Sequence, residues 1–298
     1  MTSATVTDLR GILTALATPF DADENIDTAV LKQLVDRSVD NGVDGVVVGG
    51  STAEVAALSA DERLQLVENV IEYTAGRVPV VAQTGATSTA EAIRHSRAAQ
   101  SAGADVLMLV TPYYEPLSLD ETLTYIREVS SSVDLPVMLY NIPDATGVNL
   151  DADTAGSLAE EIDNIRYIKD SGADWEQALR LIHHHSDKLG TFIGWDPYLY
   201  SALAEGAAGA VAGAANVVPS ELVSVSRLIA DDKLVEARTE WNRVYPAIDA
   251  MISENFIAAV KAGLRHNGIS AGVPRRPVAD VPADATDRIT AALDALQR

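Results

Sequence analysis

The sequence predicts an α/β chain, a (β/α)8 TIM barrel followed by a C-terminal helical extension, on three observations. Eight short apolar runs recur along the chain, most of them rich in Val, Ile and Leu without polar alternation, as parallel strands covered on both faces require. Segments of helical period separate them. Eight strand–helix units also meet the count for a closed barrel, whereas a doubly wound sheet usually stops at about five or six strands.

The first run is GILTALAT (11–18). GVVVGG (45–50), VPVVAQTG (78–85), ADVLMLV (104–110), LPVMLYN (135–141), IRYIKD (165–170), TFIG (191–194) and AAGAVAG (207–213) follow. Residues 27–41, 59–75, 88–102 and 118–132 carry Leu, Val, Ile and Ala at helical spacing. Three of these segments open on a Ser followed three residues later by Glu: Ser59 with Glu62, Ser88 with Glu91, and Ser118 with Glu121. In such a capping box the hydroxyl accepts from a free N–H of the first turn, and the carboxylate accepts from the cap's own N–H. The helix starts are thereby marked independently of periodicity. Beyond the eighth run, residues 218–230, 232–250, 253–267 and 284–297 also read as helices. The expected domains are therefore a barrel over 1–225 and a C-terminal helical domain over 226–298.

The 298 residues are 47% apolar, include no cysteine and carry a formal charge of −21. A chain of this length buries about 75% of its unfolded surface and needs neither disulfide nor structural metal to stay folded. Without cysteine, thiolate catalysis, iron–sulfur clusters and zinc ribbons are excluded. The negative charge repels phosphate backbones and argues against a nucleic-acid partner. The opening MTSATVTDLR has no basic segment followed by an apolar run, and no stretch approaches about 18 consecutive apolar residues, the usual minimum for a membrane span. The expectation is a cytoplasmic protein with no membrane partner. Lysines are few (Lys32, Lys169, Lys188, Lys233 and Lys261), a bias compatible with a high-salt cytoplasm or with a GC-rich genome.

Some motifs carry no chemistry. Asp21, Asp23 and Asn25 imitate the start of a calcium loop, but Ile26 stands where its turn needs Gly and Lys32 where it needs a bidentate Glu. His183, His184 and His185 are consecutive on a predicted helix, so they point about 100° apart and read as an exposed face. The glycines of 42–50 and 206–213 match no nucleotide-binding pattern. No metal and no organic cofactor is expected.

In barrel enzymes the chemistry sits at the C-terminal ends of the strands. There the second run leads into Ser51, Thr52, Ala53 and Glu54, and the fourth into Thr111, Pro112, Tyr113 and Tyr114. The fifth ends in Tyr140 and Asn141, and the sixth in Lys169, Asp170 and Ser171. The seventh reaches Gly194, Trp195 and Asp196, and the eighth ends in small residues around Gly213.

Lys169 follows the apolar stretch Ile165 to Ile168, so its amine is expected in the barrel mouth, poorly solvated. Desolvation disfavours the ammonium and frees an amine that can attack a carbonyl to form a Schiff base. The competing reading is a lysine that snorkels to the rim. Taken singly, Tyr140 reads as a packed aromatic, and Ser51 and Thr52 as a helix cap. Taken together, a phenol and hydroxyls around one axis supply the proton relay that imine chemistry requires, and Thr52 with the N–H groups after Gly50 can hold a carboxylate.

With these residues the sequence resembles the N-acetylneuraminate lyase and dihydrodipicolinate synthase family of class I aldolases and dehydratases. The resemblance rests on GGSTAE (49–54), TPYYEP (111–116), LYNIPDATG (139–147), IKDSG (168–172) and GAAGAVAGAANV (206–217), in family order over essentially the whole chain. It implies a barrel with a C-terminal helical domain, a homotetramer built as a dimer of dimers, and a pyruvate-derived Schiff base on Lys169. It further implies Tyr140 as catalytic tyrosine, Ser51 as relay hydroxyl, Thr52 as carboxylate binder and Tyr114 as a tyrosine lent across the dimer interface. Where the family has a turn glycine this chain has Ala53, so an αR or β conformation is expected there.

Two departures bear on specificity. Dihydrodipicolinate synthases carry an arginine at the position of Ala145 to bind the second substrate's carboxylate, and a methyl group cannot replace that fork. Only Arg275 and Arg276 stand as a pair that could enter the space. Sialate lyases carry a second carboxylate where this chain has Pro197. A pocket with Ser171, Gly194, Trp195, Asp196 and Gly213 remains, suited to a shorter hydroxylated chain. The leading expectation is an aldolase that releases pyruvate from a 2-oxo-3-deoxy sugar acid or 4-hydroxy-2-oxo acid. The alternatives are a 4-hydroxy-tetrahydrodipicolinate synthase, a 2-oxo-3-deoxy-acid dehydratase and, from another class, a non-catalytic barrel that binds a 2-oxo acid.

Overall fold

A computed structural model describes residues 9–296. Residues 1–8, part of the opening read above for a leader, and 297–298, where the last predicted helix was to end, lie outside the described residues. Eight parallel strands close into a barrel in sequence order: β1 (Gly11–Ala15), β2 (Gly45–Val48), β3 (Val80–Gln83), β4 (Val106–Val110), β5 (Val137–Asn141), β6 (Ile165–Asp170), β7 (Gly190–Ile193) and β8 (Gly209–Ala212). Each of the eight apolar runs supplies one strand. The helices are α1 (Thr28–Asp40), α2 (Ala60–Thr74), α3 (Thr89–Ala102), α4 (Leu119–Ser130), α5 (Pro143–Thr146), α6 (Ala152–Glu161), α7 (Trp175–His184), α8 (Leu199–Ala204), α9 (Pro219–Ala230), α10 (Leu234–Ile252), α11 (Phe256–His266) and α12 (Ala283–Leu296). Among the described residues no helix is long and apolar enough to cross a membrane.

The helix starts follow from local chemistry. Ser59 and Ser118 both close the reciprocal box with Glu62 and Glu121. At Ser88 only half of the expected box forms. Its hydroxyl accepts from the Glu91 N–H at 3.4 Å, but the Glu91 carboxylate accepts from Arg94 at 3.0 Å, so the stronger charged partner takes it. The Asp21 segment is a local turn in which Oδ1 accepts from the N–H groups of Asp23 and Asn25, each at 2.9 Å. His183 and His184 are exposed as expected, whereas His185, at the end of α7, turns inward. A Cβ on Gly156 of α6 would lie 2.2 Å from its ring, so that glycine makes its room.

The chain forms two compact units. The first joins Leu9 and Arg10 to Pro79–Val211, with a core drawn from Val81, Val106, Met108, Met138, Ile168 and Phe192. Within it, β5 and β6 pair so that Tyr140 stands opposite Lys169, and β6 and β7 pair so that Lys169 stands opposite Phe192. The second joins Gly11–Val78 to Ala212–Leu296 and buries Ile12, Leu13, Leu31, Val46, Val225 and Ala259. In it the Asn216 amide donates to Ala15 O at 2.7 Å while its oxygen accepts from the Ala17 N–H at 3.0 Å, tying the end of β1 to the turn at Ala214–Asn216.

Candidate active site

Strand alternation aims every second side chain of β6 to one face. Lys169 is 5% exposed, and its Nζ lies 4.1 Å from the centroid of the Tyr140 ring, itself 2% exposed. That is cation–π distance. Among the described residues no carboxylate pairs with this amine. Gly194 follows β7, and a Cβ there would lie 2.7 Å from Lys169 Cε and 2.1 Å from Ser171 Oγ. Glycine is what leaves room for both side chains. Ser171 Oγ is buried without a hydrogen-bond partner, while its N–H donates to Asn141 O at 2.8 Å. Trp195 is half-buried and precedes the turn Asp196–Tyr198, in which Asp196 is buried. Tyr114, by contrast, is 82% exposed.

The first unit also holds a polar network that sequence reasoning missed. The Asn141 amide donates to Asp170 Oδ1 and to Asn149 Oδ1, both at 2.8 Å, and Gln177 Nε2 donates to Asp170 Oδ1 at 3.2 Å. Burial pushes the Asp170 carboxyl above its ordinary value, against the lowering effect of these donors. Asn141 and Asp170 immediately follow Tyr140 and Lys169, so the network clamps the backbone next to both. The only sequence signal was two polar residues ending apolar strands.

In the second unit the loop after β2 carries Ser51, exposed, and Thr52, buried. The non-glycine residue of this loop with left-handed backbone is Glu54, at φ 60° and ψ 39°, after Gly49 at φ 72°, and Ala53 keeps negative φ as expected. Ala53 O accepts from Thr18 Oγ1 at 2.8 Å. A Cβ on Gly213 would meet Phe256 at 2.3 Å and Thr52 Oγ1 at 3.3 Å, so Gly213 lets Phe256 and the Thr52 hydroxyl come close. Glu54 pairs with Lys261 of α11 at 2.6 Å, both side chains buried, a contact no local pattern could announce. Arg275 is committed within this unit. Its guanidinium donates to Glu62, to Ala57 O and to Glu24 O, and its backbone N–H donates to Glu54 Oε2 at 2.7 Å. The Arg275 guanidinium accordingly holds the Glu62 carboxyl down at about 2. The possibility that Arg275 stands in for the arginine missing at Ala145 loses its support, because the donors it would need are already engaged, and Arg276 is exposed.

Known proteins resemble this chain throughout. Residues 8–296 match the model of the Dihydrodipicolinate synthetase family, and the chain belongs to that family. A 4-hydroxy-tetrahydrodipicolinate synthase of Exiguobacterium sibiricum is 36% identical over 269 residues, 90% of this chain and 92% of the relative. The solved 4-hydroxy-tetrahydrodipicolinate synthase of Methylacidiphilum fumariolicum SolV superposes with a TM-score of 0.93 at 30% identity, covering 97% of this chain and 96% of that one. A prophage protein of the dihydrodipicolinic acid synthase family from E. coli, YagE, solved in complex with pyruvate, gives a TM-score of 0.92 at 29% identity over 97% and 98% of the two chains. The protein is an enzyme of the lyase class, of the aldolase type that works through a Schiff base. The expectation of a non-catalytic barrel is thereby set aside.

Proposed function

We propose that Lys169 attacks the ketone of pyruvate, or of a 2-oxo acid that yields pyruvate, to form the imine on which this enzyme's carbon–carbon chemistry runs. The observation that carries the reading is a buried amine, unpaired with any carboxylate among the described residues, over the ring of a buried tyrosine at adjoining strand ends. The imine draws electrons from C3, Tyr140 and Ser51 move protons at the carbinolamine, and Thr52 anchors the C1 carboxylate. The working form is a cytoplasmic homotetramer in which Tyr114 is lent across a dimer interface.

For the departing group we infer aldol cleavage of a 2-oxo-3-deoxy sugar acid or 4-hydroxy-2-oxo acid. Ala145 lies in α5 with no fork for a second carboxylate, and the unpartnered Ser171 hydroxyl beside Lys169 suits a hydroxylated chain. The second reading, condensation of pyruvate with aspartate semialdehyde, is favoured by the names of the relatives. An Arg–carboxylate pair lost from a desolvated site typically costs about 2–5 kcal/mol, roughly 30-fold to several thousand-fold in kcat/KM.

One preparation tests both levels. Borohydride with pyruvate should inactivate the enzyme and leave one reduced adduct on the peptide containing IKDSG, and Lys169→Arg should abolish it because a guanidinium stays protonated. An adduct on Lys188 or Lys261 instead would overturn the site. On the same sample, pyruvate release from a panel of 2-oxo-3-deoxy and 4-hydroxy-2-oxo acids is expected, with weak condensation. Condensation at kcat/KM near about 10⁴ M⁻¹s⁻¹ or above, the ordinary enzymatic scale, would return the protein to the synthase reading.

A further inference from the structure

Glu54 and Lys261 take no part in the imine reading, yet they place two opposite charges inside the second unit. Removing such charges from water is favourable only where geometry and further polar partners compensate. Here they do. Lys261 Nζ stands 2.6 Å from Glu54 Oε1 with side-chain exposures of 0% and 3%, donates to Val273 O at 3.0 Å and lies 4.4 Å from the centroid of the Phe20 ring. The other carboxylate oxygen, Oε2, accepts from the Arg275 N–H at 2.7 Å.

Glu54 is also the residue whose backbone turns the substrate loop. Its φ of 60° lies in the left-handed region, where a residue with a Cβ is disfavoured and persists only when its surroundings hold it. Its N–H donates to Ser51 O at 2.9 Å, so the turn includes the two hydroxyl-bearing residues. Local preference opposes this conformation, and the side chain of the same residue is anchored to α11 and to the segment at Val273–Arg275.

We propose that Glu54 and Lys261 are positioning residues: their buried ion pair holds the left-handed turn and so sets where Thr52 presents its hydroxyl to the substrate carboxylate. The inference rests on the assignment of Thr52 as carboxylate binder. Charge is the operative property. Apolar side chains of the same volume would leave the Arg275 N–H without its acceptor and the turn without a directional hold. Through Lys261 helix α11, outside the strand–helix repeat, supports substrate binding without touching substrate.

The test compares Lys261→Met with the double variant Glu54→Gln/Lys261→Met, which removes both charges and so folds even where the single change leaves an uncompensated carboxylate. In the double variant the pyruvate concentration for half-maximal borohydride inactivation should rise at least about tenfold, while saturating pyruvate still labels Lys169 and the maximal rate falls by less than about threefold. Amide exchange over residues 49–58 should speed up. Lys261→Arg, which keeps the charge, should lie between the parent and Lys261→Met, and no recovery at all would make shape the operative property and overturn the proposal. A folded double variant with a half-saturating concentration within about twofold of the parent overturns it too. Should the parent escape borohydride inactivation, the imine reading itself fails. Exchange over 49–58 then decides the pair alone: acceleration in the double variant supports the hold, and unchanged rates refute it.

Discussion

Lys169 and Tyr140 are set against each other by strand register. In β5 and β6 they are direct partners, so their side chains share a face, and the 4.1 Å approach of Nζ to the ring centroid follows from that pairing. The phenol is therefore carried on a rigid strand rather than a loop. Tyr140→Phe keeps the ring and removes the phenolic hydroxyl with its exchangeable proton. Turnover at saturating substrate should fall by about 10² or more, the usual scale of general acid–base help, with a melting temperature lowered by no more than a few degrees. A variant that melts like the parent and turns over within a few-fold of it would remove Tyr140 from the relay. Ser171 and Gly194 show the same economy of space, since any side chain at 194 would strike both Ser171 and Lys169.

At the scale of elements, α2 is held at its start by two kinds of contact to one carboxylate. Glu62 accepts from the Ser59 N–H at 2.8 Å as the second half of the capping box, and it also accepts from the Arg275 guanidinium. Its carboxyl sits at about 2 in the folded protein, with Arg275 the leading cause, below the ordinary value of 4.5. A depressed folded pKa contributes stability that is fully present above the unfolded value and is lost as pH falls from there toward about 2. Because Glu62 remains partly open to solvent, the contribution at neutral pH is about 1–2 kcal/mol. Glu62→Gln should lower the melting temperature at pH 7 by roughly 2–8 °C and flatten the acid limb of the stability curve, read by calorimetry at a series of pH values. An acid limb identical to the parent's would mean that other carboxylates carry it.

At the scale of the whole molecule, Tyr114 is the outlying feature. It follows β4, and 82% of its surface is exposed, more than that of any other large apolar or aromatic side chain among those described. An aromatic this open on an enzyme of this family fits a group that completes its role against a second copy of the chain. Tyr114→Phe should then lower turnover while leaving borohydride capture at Lys169 intact. Specific activity of the parent should also fall on dilution as the assembly dissociates, followed by light scattering on the same samples. A monomer that keeps full activity with Tyr114→Phe would refute the lent tyrosine.

Much of the architecture was legible in the sequence because its causes are local. Strand runs such as ADVLMLV and IRYIKD announce themselves by composition, the helix starts at Ser59 and Ser118 by a side chain and a backbone group three residues apart, and the family by short motifs around Lys169 and Tyr140. Glu91 marks where that reasoning stops, since a box complete in sequence loses its second half to Arg94. What only the tertiary structure decided are contacts between residues distant in the chain: Glu54 on Lys261, Arg275 on Glu62, Asn141 on Asp170, and the space that Gly194 leaves for Ser171. Periodicity records which face of an element is apolar, but it does not say which buried polar groups will meet. That is set by packing, where each desolvated donor or charge must find a partner once the elements have come together.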